Sequence, residues 1–307
     1  MSEGTYSSLM GQLKSGQITF TGELEPEKTT NLDETIEAAK FLKDYVVACN
    51  VTDNPQSFGY LSSLAASYII QREAGMEAIY QLTCRDRNRL ALLSDLLGAA
   101  SLGIKNVLAL TGDHTTLGDT PQSKPVFDLD STQLIRMIRQ MVDAGVDLNG
   151  KTIEHPPKFH VGGAANPNAL PLEPELLKVE KKIRAGVEFF QTQVVFEVET
   201  AKHFLNELEG CDVPILVGIM PCRSYGVAEY FDKTVPGVSV PEEFTAALAK
   251  VRGIGDRSKR RKRYNEINLD YFGDFIKEIK STTSAAGFHI MSVGYEEIIP
   301  PLIRGIV

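Results

Sequence analysis

Residues 78–112 read AIYQLTCRDRNRLALLSDLLGAASLGIKNVLALTG, and this stretch decides the fold. It opens on a short apolar run, AIYQLTC (78–84), crosses a leucine-rich segment that ends at Gly103, and closes on a second run, NVLALTG (106–112). Two buried strands separated by a helix-length crossover make a parallel βαβ unit, since a tight hairpin can join only antiparallel strands. The unit repeats in both directions. Before it stand ITFTGEL (18–24) and YVVACNV (45–51); after it come KFHVGGA (158–164), FFQTQVV (189–195), PILVGIM (214–220) and GFHIMSV (287–293). Eight strands alternating with helices close a parallel barrel. The expected fold is therefore α/β, a (β/α)8 TIM barrel forming a single domain over residues 1–307.

The intervening segments carry helix signals. Asn31 with Glu34 three residues on is a candidate capping box. In 60–74 the stripe Leu61, Leu64, Ala65, Tyr68 and Ile69 is expected to face the core, with Gly75 as the stop. Asp86 opens a helix expected to bury Leu90, Leu93, Leu96 and Leu97, and Ser131 opens another with Leu134, Ile135, Ile138, Met141 and Val142 inward. Segments 175–185 and 200–209 repeat the pattern, each followed by a glycine. Two connections are long: 113–130 after strand four, and 221–286, which holds extra helices (240–252 and 263–280) between strands seven and eight.

Composition narrows the function classes. The formal net charge of −8 disfavours a nucleic-acid scaffold. Cys49, Cys84, Cys211 and Cys222 form no CxxC or CxxH cluster, and His114, His155, His160, His203 and His289 show no ligand spacing, so reduced thiols and no metal site are expected. Neither GxGxxG nor GxxxxGK[ST] is present at a strand end. No secretory signal and no apolar stretch of about 20 residues is visible, so the reading is a cytoplasmic protein without a membrane span.

A barrel of this kind carries its chemistry at the C-terminal ends of the strands. There the sequence places Glu23 on strand one, Thr52 and Asp53 on strand two, Gln81 and Thr83 on strand three, Asp113 on strand four, Gly162-Gly163-Ala164-Ala165 on strand five and Gln193 on strand six. Glu23 and Asp113 both follow apolar strands. Partial desolvation would raise a carboxyl pKa and suit it to general-acid work, the alternative being a helix cap or a lysine partner. Gln191 and Gln193 share a strand face, and an amide at the mouth can donate to and accept from a heterocycle edge, or else bond core backbone.

Four motifs, in order along the chain, resemble the methylenetetrahydrofolate reductases, in particular the short bacterial type with a catalytic domain only: TGELEPEK (21–28), LTCRDRN (82–88), LTGD (110–113) and RAGVEFFQTQVVFEVE (184–199). The GFHIM of 287–291 is similar to that family's last strand. The resemblance implies flavin-dependent reduction of 5,10-methylenetetrahydrofolate to the 5-methyl compound, by a ping-pong scheme in which donor and folate use one flavin face in turn. Glu23 matches the general acid, Asp113 the aspartate beside flavin and pterin, Gln193 the folate-binding glutamine and Phe231 a substrate-stacking phenylalanine. Flavin contacts implied are Thr52, Gln81, Thr83, Asp113, Phe127, Asp130, Ala165, Glu175, Lys181 and Lys182.

The chain departs from the better-known pattern at Gln81, where histidine is common, at Thr111, where arginine often stands, and at Phe127, in place of tyrosine. All three touch the flavin pocket, so FAD is the expected cofactor with FMN as the alternative. NADH or a partner electron-donor subunit would supply electrons, and homo- or hetero-oligomers are compatible with the reading. The rival readings are a flavin-free folate- or corrinoid-linked methyltransferase barrel and a subunit of a larger electron-transfer complex. The basic run at 257–263, RSKRRKR, reads as a solvated helix face, with docking of a partner protein or of the folate's glutamate tail as the functional alternative.

Overall fold

A computed structural model describes residues 4–235 and 237–305. Eight strands close in sequence order into a parallel barrel: β1 Thr19–Leu24, β2 Ala48–Val51, β3 Ala78–Thr83, β4 Asn106–Leu110, β5 His160–Ala165, β6 Phe189–Val194, β7 Ile215–Ile219 and β8 Gly287–Ile290. Closure is direct, with Thr19 of β1 paired to Gly287 of β8. All eight runs read from the sequence form these strands, most of them trimmed at their ends and β5 extended by one residue to Ala165.

Helix α1 (Ser8–Lys14), absent from the sequence reading, plugs the N-terminal end of the barrel. Its Leu9, Met10 and Leu13 pack with the barrel-interior residues Ala48, Ile79, Leu108, Phe189 and Leu216 in one buried cluster. The Glu77 carboxylate accepts from the first amides of α1, Ser8 N at 2.7 Å and Leu9 N at 3.0 Å, which suits the positive end of a helix. With that end stoppered, the opening lies at the C-terminal ends of the strands.

The barrel's outer layer comprises α2 (Asp33–Leu42), α3 (Ser63–Ala74), α4 (Arg89–Ser101), α5 (Ser131–Arg139), α6 (Glu173–Arg184), α7 (Val198–Glu207), α8 (Tyr225–Thr234), α9 (Glu242–Val251), α10 (Arg257–Thr282) and α11 (Ile299–Arg304). The extra helices between β7 and β8 are α8 to α10, as expected. Three local readings are corrected. Helix α2 starts at Asp33 behind Leu32 and has no side-chain cap; Asn31 instead accepts from the Asp33 amide in a turn. Helix α3 starts at Ser63 and turns Ser63, Ala66, Ser67, Ile70 and Ala74 inward, two positions on from the expected stripe. Small residues there let the helix lie close on the barrel. Helix α4, capped by Asn88 rather than Asp86, buries Leu92, Leu96 and Ala99 and leaves Leu90 71% exposed.

Helix α5 is opened by Asp130, whose side chain forms a capping box with Gln133. Among the described residues no helix is long and apolar enough to cross a membrane, and no group of three or more His, Cys, Asp or Glu side chains is placed to hold a metal.

Candidate active site

A cleft of about 800 Å3 opens at the C-terminal ends of the strands. Its floor is a buried polar layer. Asn50 of β2 and Gln191 of β6 exchange amide hydrogen bonds of 2.9 and 3.1 Å across the barrel. Gln191 also donates to the Thr21 hydroxyl of β1 (3.2 Å), and the same hydroxyl meets His289 Nδ1 of β8 at 3.0 Å. Four strands are thus tied together by mutually satisfied polar side chains, which makes a rigid base.

Glu23 stands on this layer, its side chain 17% exposed and its Oε2 3.5 Å from His289 Nε2. The carboxyl that burial pushes up is two residues further on. Glu25, just past the end of β1, is raised to about 7, first by desolvation and then by the charges of Glu23 and Glu27, with Arg223 opposing. Glu23 and Met291 also line a second cavity, of about 410 Å3, together with Glu25, Arg223, Tyr230 and Phe231. Phe231, on α8, therefore sits beside the main cleft with Glu23 between them.

Asp113 is exposed, contrary to the expected desolvation. Strand β4 stops at Leu110, and Gly112, at φ +92°, turns the chain outward; a Cβ on that glycine would lie 2.9 Å from Arg85 Cβ. The turn leaves the Asp113 carboxylate on the rim of the cleft, where it accepts from the Gln56 amide at 3.1 Å.

The opposite wall is small and basic. Ala164 and Ala165 end β5, and Lys178, Lys181 and Lys182 of α6 line the cleft beside them. Lys182 is buried and donates to the Ala164 carbonyl at 2.5 Å; burial pulls its amine below the ordinary lysine range. Glu175, also buried, accepts from the Asn166 amide and pairs with Lys178. Gln193 is exposed at a register irregularity between Gln191 and Val194, with its amide oxygen accepting from the Val194 amide.

Of the residues expected at the site, Glu23, Gln81, Asp113, Asp130, Ala165, Glu175, Lys181, Lys182 and Gln193 line one cleft. Thr52, Thr83 and Phe127 do not. Both the amide and the hydroxyl of Thr83 are taken by Asp53, at 2.9 and 2.8 Å. Phe127 stacks on His114 with centroids 6.3 Å apart. Thr52 is buried, and its hydroxyl has no partner among the described residues. Asn50, Gln191 and His289 were missed as parts of the site; the alternation that put Gln191 on the face of Gln193 was the one available signal.

LTCRDRN proves to be a brace. Arg85, 1% exposed, forms a double ion pair with Asp86 and donates to the carbonyls of Asn54 and Asp113, joining the loops after β2, β3 and β4. Arg87 holds Asp53 through contacts of 2.6 and 3.1 Å and reaches Asp95 at 2.8 Å.

A parallel barrel plugged at one end, with carboxylates, amides and lysines gathered at the other, is the architecture of α/β-barrel enzymes, a class that carries its chemistry at the C-terminal rim. The chain belongs to the methylenetetrahydrofolate reductase family, whose model matches residues 9–306. It is 25% identical over 289 residues to the 5,10-methylenetetrahydrofolate reductase of Pectobacterium carotovorum, covering 92% of this chain and 88% of that protein. It is 31% identical over 254 residues to a Caenorhabditis elegans protein named as a probable NADPH methylenetetrahydrofolate reductase, covering 80% of this chain and 34% of that longer protein. Among solved structures, a Clostridium thermocellum protein described as binding two copies of 5-methyl-5,6,7,8-tetrahydrofolic acid superposes with a TM-score of 0.64 over 97% of each chain at 17% identity, a likeness of fold.

Proposed function

We propose that this chain reduces 5,10-methylenetetrahydrofolate to 5-methyltetrahydrofolate with a bound flavin, and that Glu23 is its general acid. The observation that carries the reading is the position of Glu23: a carboxyl on a rigid polar floor, at the junction of the main cleft and the cavity holding Phe231. Family membership supplies the reaction class.

The residues present fit a flavin. A cleft of about 800 Å3 suits a ligand of that size, Ala164 and Ala165 leave room against the wall, and Lys178, Lys181 and Lys182 offer positive charge to a diphosphate. That pairing favours FAD over FMN, and it favours the reductase over a flavin-free methyltransferase. A bound flavin would supply the hydride.

The chain's own residues do the rest. Reducing the methylene bridge requires one carbon–nitrogen bond to open, and a carboxylic acid at Glu23 protonates the departing nitrogen. Glu23 meets His289 at 3.5 Å, so its position is set by β8 as well as β1. Gln193 presents an amide for the pterin edge, and Phe231 a ring for stacking. Asp113, a carboxylate exposed at the rim, repels added negative charge and so favours electron transfer out of the cofactor. Electrons enter from NADH or another reduced nicotinamide, or from a partner subunit.

Purified chain should be yellow. Glu23→Gln should keep flavin binding and anaerobic flavin reduction while reoxidation by methylenetetrahydrofolate slows by at least about a hundredfold. Reoxidation at the wild-type rate in that variant would remove Glu23 from the acid role.

A further inference from the structure

A third cavity, of about 890 Å3, lies between α7, α9 and α10. Phe244, Tyr271, Ile267 and Ala247 give it an apolar floor, and six carboxylates surround it: Glu197, Glu199, Glu243, Asp270, Asp274 and Glu278. Lysine and arginine are absent from its lining. Nearby cations answer only part of this charge, Lys202 reaching Glu278 at 2.8 Å and Lys277 standing 3.8 Å from Asp274.

The complementary surface is on the same helix. Helix α10 runs 26 residues, and its first turns carry Arg257, Lys259, Arg260, Arg261, Lys262 and Arg263. Arg261 is occupied by Glu297 and stacks over Tyr295, and Arg260 donates to the Ile254 carbonyl. Lys259 and Arg263 are exposed; the Lys259 side chain has no partner among the described residues, and Arg263 contacts only Glu266 of its own helix. From Lys259 to Asp270, and from Arg263 to Asp274, is eleven residues, three turns to within about 20°. All four side chains therefore lie along one stripe, basic at its start and acidic at its end.

We propose that this chain pairs with a second copy of itself through α10, the two helices antiparallel, the basic start of each against the acidic end of the other. Setting Arg263 opposite Asp270 of the second copy also sets Lys259 opposite its Asp274, because both pairs share one midpoint near residues 266 and 267. Ile267, which lines the groove, then falls at the two-fold axis, where an isologous contact places an apolar residue against itself. Glu197, Glu199 and Glu243 stand ready to meet the remaining cations of the incoming helix. The occupant is a second copy because one stripe supplies both charge signs at matching spacing; an unrelated basic peptide would leave Lys259 unanswered and Arg263 with Glu266 alone.

The test uses the full-length protein with its cofactor, in sedimentation experiments across concentration and salt. The wild type should be a dimer whose dissociation constant rises about tenfold or more between about 0.1 M and about 1 M salt. Asp270→Lys with Asp274→Lys should be monomeric, and so should Lys259→Glu with Arg263→Glu. Mixed together, the two variants should reassemble, since every crossed pair again joins opposite charges. Should a charge-reversed chain fail to fold, Asp270→Asn with Asp274→Asn replaces it and should weaken the dimer. A monomeric wild type, a dimer indifferent to these substitutions, or folded variants that stay apart on mixing would each overturn the proposal.

Discussion

The rim above β2 to β4 and the rim above β5 and β6 are built in opposite ways. On the first side, two arginines and three aspartates, Asp53, Asp86 and Asp95, lock the loops together, and their polar groups are used up by one another. On the second, β5 ends in alanines, and three lysines line the cleft, Lys178 paired with Glu175, Lys182 reaching a backbone carbonyl and Lys181 beside them. The densest cluster of charge is the mechanical side, and the plain side is the one with capacity for a ligand. A charged motif at a strand end therefore says little until its partners are known: LTCRDRN carries a family resemblance as sequence and is saturated as structure.

Arg87→Ala should break this contrast most severely. It leaves Asp53, with 2% of its side chain exposed, held only by Thr83. Removing one partner of a buried pair costs about 3–5 kcal/mol. The urea midpoint should fall accordingly, while the folded fraction keeps its flavin. A loss below about 1 kcal/mol would mean that the rim does not depend on the brace.

A smaller effect, and one of a different kind, is expected across the cleft. Lys182→Met keeps the length of the buried stem and removes the amine that reaches the Ala164 carbonyl. A charge-assisted hydrogen bond to phosphate is worth about 1.5–3 kcal/mol, so flavin should dissociate roughly tenfold to a hundredfold more readily, read by fluorescence of the released cofactor. Unchanged retention together with a lowered melting temperature would make Lys182 part of the scaffold and erase the contrast between the two sides.

The barrel was legible because eight apolar runs of strand length recur between helical segments, and the rule that places active sites at strand ends then pointed to the rim where the cleft opens. The inward faces of α3 and α4 were not legible. Leu90, Leu92, Leu93, Leu96 and Leu97, together with Ala91, Ala99 and Ala100, spread apolar surface around most of α4, so hydrophobicity alone cannot set its phase; contact with the barrel selects Leu92, Leu96 and Ala99. Asp113 was expected to be desolvated because it follows an apolar strand, but the Gly112 turn carries it outward. Asn50 and His289 lie within strands otherwise composed of core residues, and only the cross-barrel register shows that they meet Thr21 and Gln191.

Glu25 sharpens the comparison at its boundary, because it is the counter-case to Asp53. Both are carboxylates at the end of a strand, but Asp53 has Arg87 and Glu25 has no hydrogen bond or ion pair through its carboxyl among the described residues. Desolvation comes first, the charges of Glu23 and Glu27 add to it, and the proton is held to about pH 7 against an ordinary value of 4.5. In the unfolded chain the proton leaves at the lower pH. Between these values the native state binds more protons, so stability must fall as pH rises across that window and level off above it. The shift sets a ceiling of about 3 kcal/mol, which partial exposure to water reduces to about 1–2 kcal/mol. Glu25→Gln cannot ionise and should be free of this loss: near pH 4.5 its urea midpoint should lie close to the wild type's, and by pH 8 it should lie above it. If the two curves run parallel from pH 4.5 to pH 8, Glu25 ionises as readily folded as unfolded, and the unpaired carboxyl at the end of β1 is solvated after all.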